Sequence, residues 1–488
     1  MSNRFRPNDG DIFADAIPFY YQGKNEYHVF YLRGKEHDNM WPRWKTCWSH
    51  IKSTDLINWE ELPNALEIGE QRFPDGGACY TGSCIEKDGI FHIFYTGFCP
   101  GHKDGREQIL HAVSTDLVHF VKDPGYVQVV EADGKIYRKY TDFRDPFVFW
   151  NEDENKYFML VTANDGDESI PYIRSAVTAL YKSDDLLKWS PCPPIYKAFG
   201  YPAHEVNEVF KIGNWWYLTF TGFKGRSEYR MSKSIYGPWQ CPKYPELDLS
   251  THFYGAKGLT DKSGRRLLFG WCGTAYQDLD DMYMQWGGDM PTPRELVPGP
   301  DGELEVRYPK EYLSKCKFSP VKEVATVYGE WINQDGIISC NSLSSFSAVQ
   351  ILWNKENWVL ELNMKVIAGC GKLGIAVNCD DKLSQCYYIN FDNAKKQFEI
   401  TKFKLDEDVP LSQSKCATIT RPIVTIGMGN QNIQSLLIVK NKNIVEVFIE
   451  NKYVATARFS EIKVGNIALF AEYVVAEFSD IKIAEIKD

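Results

Sequence analysis

Hydrophobic and polar positions along this chain alternate in short runs, and the runs come in pairs. Ala203-His204-Glu205-Val206-Asn207-Glu208-Val209-Phe210 leads through Gly213 into Trp215-Trp216-Tyr217-Leu218-Thr219-Phe220-Thr221-Gly222. This predicts a strand with a carboxylate at its start, a tight turn, and a return strand dense in aromatic and β-branched residues. The pattern is written five times. Asp15 opens a strand that turns at Gly23, Thr81-Gly82-Ser83 one that turns at Asp88-Gly89, and Asp145 one that turns around Glu152-Asp153-Glu154. Glu205 opens the fourth, and Tyr254-Gly255-Ala256 opens the fifth, which turns at Ser263-Gly264.

A second echo follows the first four hairpins: Ser53-Thr54-Asp55-Leu56 with Trp59, Ser114-Thr115-Asp116-Leu117 with Phe120, Ser183-Asp184-Asp185-Leu186 with Trp189, and a weaker Ser232-Lys233-Ser234 with Trp239. Hairpins repeating at roughly 40 to 70 residues mark a β-propeller of four-stranded blades. Five blades are expected. Beyond the turn-rich Pro298-Gly299-Pro300-Asp301-Gly302 the pattern changes to closely spaced strands at residues 358–364, 374–377, 386–391 and 444–449. These predict an antiparallel β-sandwich. The expected organisation is an all-β chain with the propeller over residues 1–309, a connector over 310–325 and the sandwich over 326–488. The sandwich carries no comparable carboxylate set and is expected to be structural or sugar-binding.

The first strand of each propeller blade lines the central channel, so equivalent positions form a ring. Asp15 and Glu205 each stand eight positions before a turn glycine, and Asp145 stands eight before Asp153. Three carboxylates from three blades are therefore expected at one end of the channel. Two carboxyl groups are what glycosidic hydrolysis requires: one protonates the leaving oxygen, and the other attacks the anomeric carbon or activates water. Beside Asp145, the Arg144 guanidinium would favour a charged carboxylate where the two side chains meet.

Composition narrows the partners. The 488 residues carry 65 acidic and 55 basic side chains, a net charge of -10 that disfavours nucleic acid or an anionic membrane. No apolar run reaches membrane-span length and the N-terminus lacks a signal-peptide core, so a cytoplasmic location is expected. The 13 cysteines show no CxxC pairing and fit reduced thiols better than disulfides or zinc. No cofactor or metal is expected, and the expected partner is a small carbohydrate.

Phe143-Arg144-Asp145-Pro146, Tyr80-Thr81-Gly82-Ser83, Phe253-Tyr254-Gly255-Ala256 and Pro291-Thr292-Pro293-Arg294-Glu295-Leu296 together resemble signature stretches of glycoside hydrolase family 32, the β-fructofuranosidases. The resemblance implies a retaining reaction with Asp15 as nucleophile, Asp145 as transition-state stabiliser and Glu205 as general acid/base. It also implies sugar contacts from Arg144, Tyr80, Thr81, Ser83 and Tyr254. Around the nucleophile, however, the family's asparagine-rich motif is replaced by Ala14-Asp15-Ala16, its first-hairpin glutamine by Leu32, and its glutamate-cysteine-proline-aspartate by Glu205-Val206-Asn207-Glu208. These departures lead to the expectation that sucrose is a poor substrate and that an unusual fructoside, such as a difructose anhydride, is handled instead.

Asp9 and Asp11 compete with Asp15, but lie too far from Gly23 to share the spacing of Glu205. Glu208 competes with Glu205, and strand alternation would put the two on opposite faces. An inverting arabinoside or xyloside hydrolase of the family 43 type and a non-catalytic carbohydrate-binding protein are the alternative readings.

Overall fold

The Ser-x-Asp-Leu echo marks one turn built repeatedly. In a computed structural model, which describes residues 4–7, 10–35, 45–125, 127–222, 225–280, 284–353, 355–404, 424–428 and 435–487, the carboxylates of Asp55, Asp116 and Asp185 each accept two backbone amides at 2.8–2.9 Å. The preceding serines accept the aspartate amides at 3.1–3.2 Å. Leu56, Leu117 and Leu186 then take positive φ, at 67°, 65° and 71°, with their side chains buried. Positive φ is unfavourable for a residue with a Cβ. Burial of the leucine and the satisfied turn outweigh it, which is why the same residues recur.

These turns lie within five blades. The first comprises Asp11–Tyr21, Glu26–Lys35, Cys47–Ser53 and Glu60–Leu66; the second Ala78–Lys87, Ile90–Phe98, Glu107–Ser114 and Val121–Lys122. Arg144–Asn151, Lys156–Asn164, Ala176–Ser183 and Ser190–Lys197 make the third. The fourth has three strands, Glu205–Ile212, Trp215–Thr221 and Ser227–Ser232, rather than the expected four; its outer edge is completed only by single bridges such as Met231 to Gln240. Its echo motif is also the weakest. Tyr254–Thr260, Arg266–Ala275, Arg294–Pro298 and Leu304–Arg307 form the fifth. Met284–Asp289 pairs with both the fifth blade and Asp11–Tyr21, tying the ring shut. The innermost strands touch in ring order, and the fifth returns to the first.

From Ser319 to Glu485 the strands form a second, antiparallel assembly around its own apolar core. Residues 358–364 and 374–377, read from sequence as separate strands, belong to one strand, Trp358–Cys379. It pairs along most of its length with Asn466–Glu485 through four register shifts, one beside Gly369 at φ 95°. Bulges let a long strand bend, and the largely exposed stretch between the two runs, with Gly369 and Gly371, is that bend. The segment after Pro309 carries a short helix, Lys310–Lys315, whose buried Tyr312 donates to the Leu56 carbonyl at 2.5 Å.

Two buried charge clusters join the propeller to the sandwich. Arg294 pairs with Asp248 at 3.0 Å and with Glu446 of the sandwich at 3.4 Å. Arg458 pairs with Asp289 at 2.5 Å, an acid also approached by Arg4 and Arg6 at 3.3 Å.

Candidate active site

All five innermost strands carry the same irregularity. Pairing with the second strand of the blade shifts register at Asp15, at Thr81, at Asp145-Pro146, at Val206-Asn207 and at Gly255-Ala256. Four of these bulges place a residue at positive φ: Asp15 at 24°, Asp145 at 59°, Val206 at 50° and Gly255 at 59°. A bulge re-aims a side chain that regular pleating would send elsewhere, and such strain concentrates at functional sites. Gly255 also has a steric reason: a Cβ there would fall 2.6 Å from Asp15 Oδ1 and 2.8 Å from Trp271 Nε1.

The bulges bring Asp15, Asp145 and Glu205 into the lining of one cavity of about 370 Å3, with Tyr80, Thr81, Arg144 and Tyr254. Asp15 accepts hydrogen bonds from Thr81 Oγ1 at 2.6 Å and Trp271 Nε1 at 2.8 Å, one on each carboxylate oxygen. Two donors fix its orientation.

Asp145 is buried, and its Oδ2 accepts the Val206 amide at 2.9 Å. Its own amide donates to Thr96 Oγ1 at 2.8 Å, and Thr96 in turn donates to the Thr81 carbonyl at 3.1 Å. The expected approach of Arg144 is present, Nε to Oδ2 at 3.7 Å. Burial nonetheless outweighs it: desolvation pushes Asp145 up to about 7, with Arg144 and the Val206 amide pulling down and Glu205 and Asp15 adding to the rise.

Arg144 reaches further than one aspartate. It donates to Glu205 Oε1 at 3.0 Å, and pairs with Asp142 at 2.5 Å and Glu107 at 3.5 Å. The Tyr254 hydroxyl donates to Glu205 Oε2, and burial, followed by the Glu205 charge, holds that phenol well above its usual range. Tyr80 lies against Phe98 with ring centroids 4.7 Å apart.

Ser83 stands apart from this group. It is buried in the Ala78–Lys87 strand, and its hydroxyl accepts the Val148 amide at 2.9 Å, outside the cavity lining. Of the rivals, Asp9 lies outside the described residues. Asp11 is held by Arg33 and Lys35, each at 2.6 Å. Glu208 is fully buried, paired with Arg266 at 2.7 Å and accepting the Gly258 amide at 3.0 Å. Strand alternation does not exclude it as expected, because the bulge between Glu205 and Glu208 breaks the alternation. What withdraws Glu208 is the ion pair.

Sequence reasoning missed several neighbours. Leu32, where the family's glutamine was sought, lines the cavity with Trp286, Tyr172, Asp142, Glu107 and Arg106. Asp142 carried a signal, two residues before Arg144, and is braced by Tyr172 at 2.6 Å. Glu107 and Trp271 sit on other strands, and no spacing announces them. A larger cavity of about 750 Å3 adjoins this one, sharing Arg106 and Glu107, with Arg72, Lys103, Lys139 and His102 among its walls. Among the described residues no group of three or more His, Cys, Asp or Glu is arranged to hold a metal ion, and no helix is long and apolar enough to cross a membrane.

A bulged ring of this kind, carrying two carboxylates held in place and a third buried beside an arginine, can protonate a leaving oxygen and stabilise positive charge on a ring. Comparison with known proteins points the same way. Residues 15–305 match the N-terminal domain of the glycosyl hydrolases family 32, and residues 333–485 match its C-terminal domain. Curated relatives include a sucrose-6-phosphate hydrolase of Zymomonas mobilis, 31% identical over 301 residues covering 56% of this chain and 55% of that one. Another is a raffinose invertase of Escherichia coli, 26% identical over 62% of this chain and 64% of the other. The match to the first thus spans about half the length of the relative. Among solved structures, an exo-inulinase from Aspergillus awamori superposes with a TM-score of 0.73 at 18% identity, over 100% of this chain and 99% of that one. The sucrose-6-phosphate hydrolase from Lactobacillus gasseri does so at 0.72 and 20%, over 100% and 93%. At such identities the likeness concerns the fold, a β-propeller followed by a β-sandwich. On the two domain matches, the chain belongs to glycosyl hydrolase family 32.

Proposed function

We propose that this chain is a retaining glycoside hydrolase of β-fructofuranosides. The observation that carries the reading is the bulge repeated in all five innermost strands, which gathers Asp15, Asp145 and Glu205 around one cavity. In the first step Asp15 attacks the anomeric carbon while Glu205 gives its proton to the leaving oxygen, so a fructosyl ester forms as the glycosidic bond breaks. In the second, Glu205 takes a proton from water, whose oxygen attacks the same carbon and returns Asp15 as carboxylate. Asp145, as carboxylate, faces the positive charge that develops on the ring. Arg144 and Tyr254, both bonded to Glu205, hold it in place.

The leaving group extends toward the larger polar cavity that shares Arg106 and Glu107. The names of the relatives make sucrose, sucrose 6-phosphate and fructans the first substrates to try, and the altered neighbours of Asp15 keep difructose anhydrides on the panel. Release of fructose is measured across that panel, with the Asp15→Asn protein as control. Fructose from at least one member, absent with the control, is the expected result. No fructose from any member, together with turnover of an arabinoside or xyloside, would overturn the reading in favour of the inverting alternative.

A further inference from the structure

We propose that the sandwich carries a second carbohydrate-binding site, for neutral oligosaccharides, on the outer face of its main sheet. Alternation along the strands separates the two faces of this sheet. Leu373, Ile375, Val377, Ile389, Phe391, Ile400 and Leu469 turn into the core between the layers. Their neighbours turn outward. There Tyr328, Phe346, Phe470, Tyr388 and Phe403, from five strands, form a continuous aromatic ribbon with successive ring centroids 6.0, 5.9, 4.6 and 5.7 Å apart. Small residues in register with them, Ala348, Gly374 and Ala376, are buried beneath the ribbon, so that the rings lie close over the sheet. This face carries a cavity of about 570 Å3, within the range of small-molecule sites.

Two observations point to a ligand and to its chemistry. Asn390 lines the cavity and is only 2% exposed, its amide donating weakly to the Glu399 carbonyl at 3.5 Å while Oδ1 accepts no hydrogen bond. A buried acceptor left unpaired is unfavourable, and a hydroxyl-bearing ligand would satisfy it. The charges at the rim are largely paired with one another: Lys372 with Glu399 at 3.2 Å, Lys395 with Asp392 at 3.2 Å, and Lys402 with Glu461. A cavity that is aromatic on one side, hydrogen-bonding on the other and internally neutralised suits sugar rings, whose C–H faces pack on aromatic rings while their hydroxyls meet polar groups. Of the four lysines that line the cavity, three stand in these pairs, which disfavours an anionic ligand.

The test uses the full chain as the Asp15→Asn protein, titrated calorimetrically with inulin-type, malto- and cello-oligosaccharides. At least one oligosaccharide is expected to bind at a site whose affinity falls about tenfold or more in Tyr388→Ala and also in Asn390→Ala. Each substitution, placed in an otherwise wild-type chain, should leave fructose release from a short fructoside unchanged. Asn390→Ala guards against misfolding, since it removes the acceptor and keeps the ribbon. Binding outside the propeller cavity that survives both substitutions, or no such binding for any sugar tested, would overturn the proposal. So would dissociation of a dimer on Tyr388→Ala, which would make the face an interface. The binding outcomes do not depend on what the propeller hydrolyses.

Discussion

Two arginines of this molecule sit among carboxylates, and they serve opposite ends. Arg144, at the mouth of the propeller, meets Asp142, Glu107, Asp145 and Glu205 beside a cavity. Arg294, between propeller and sandwich, meets Asp248 and Glu446 with no exposed surface at all. At the seam the acids also take neutral donors, Glu446 from Thr292 Oγ1 at 2.7 Å and Asp248 from Thr456 Oγ1 at 2.8 Å, yet burial still pushes the Glu446 carboxyl upward against the pull of Arg294. At the mouth, solvent or substrate can take the place of a lost contact. The seam network therefore supports the fold, whereas the mouth network holds charge that the fold alone would discard.

The largest expected effect breaks the mouth. Asp15→Asn should lower turnover on the order of 10^4-fold with the melting temperature nearly unchanged, as measured by fructose release and by thermal unfolding. Arg294→Met should do the reverse, destabilising the chain by about 3–5 kcal/mol because Asp248 and Glu446 are left buried without their cation. Urea unfolding measures it, and a loss below 1 kcal/mol would remove the seam from the account. Arg144→Gln should cut kcat/KM about 10^2- to 10^3-fold with little change in stability, since the acids it leaves behind line a cavity.

Asp145 sharpens the comparison. Its value in the folded chain, about 7, lies above the ordinary carboxylate value of 3.8. A group raised in this way contributes stability that is present below about pH 4 and lost as the pH rises through about 7. Asp145→Asn should thus be more stable than the natural chain at neutral pH, on the order of 2 kcal/mol, while losing activity. Because the proposed role of Asp145 needs the carboxylate, kcat/KM should fall as the pH drops below about 7. In Arg144→Gln that limb should move to higher pH, since the guanidinium is what pulls Asp145 down.

The difference between the two networks also explains what could be read in advance. Asp15, Asp145 and Glu205 share a spacing to their turns, so repetition exposed them without any knowledge of the fold. The bulges did not show, because a bulge is one extra residue in a pairing, and hydrophobic alternation does not record pairing. Ser83 was grouped with Tyr80 and Thr81 on the resemblance alone; in the structure, with the register shift at Thr81, its hydroxyl meets the Val148 amide. The single strand Trp358–Cys379 reads as two because Gly369 and Gly371 interrupt it at its bend. The seam was invisible because Arg294 and Glu446 lie far apart in the chain and neither belongs to a local pattern. Trp271, which holds Asp15 at 2.8 Å, belongs to no local pattern in the sequence.

The most direct test of the account traps the first step. A Glu205→Gln protein, mixed with a β-fructofuranoside bearing a good leaving group and quenched rapidly, is digested and its peptides are weighed. One anhydrofructose unit is expected on the peptide containing Asp15 and none on those containing Asp145 or Asp142. An adduct on another residue, or undiminished turnover by Asp15→Asn, would contradict it.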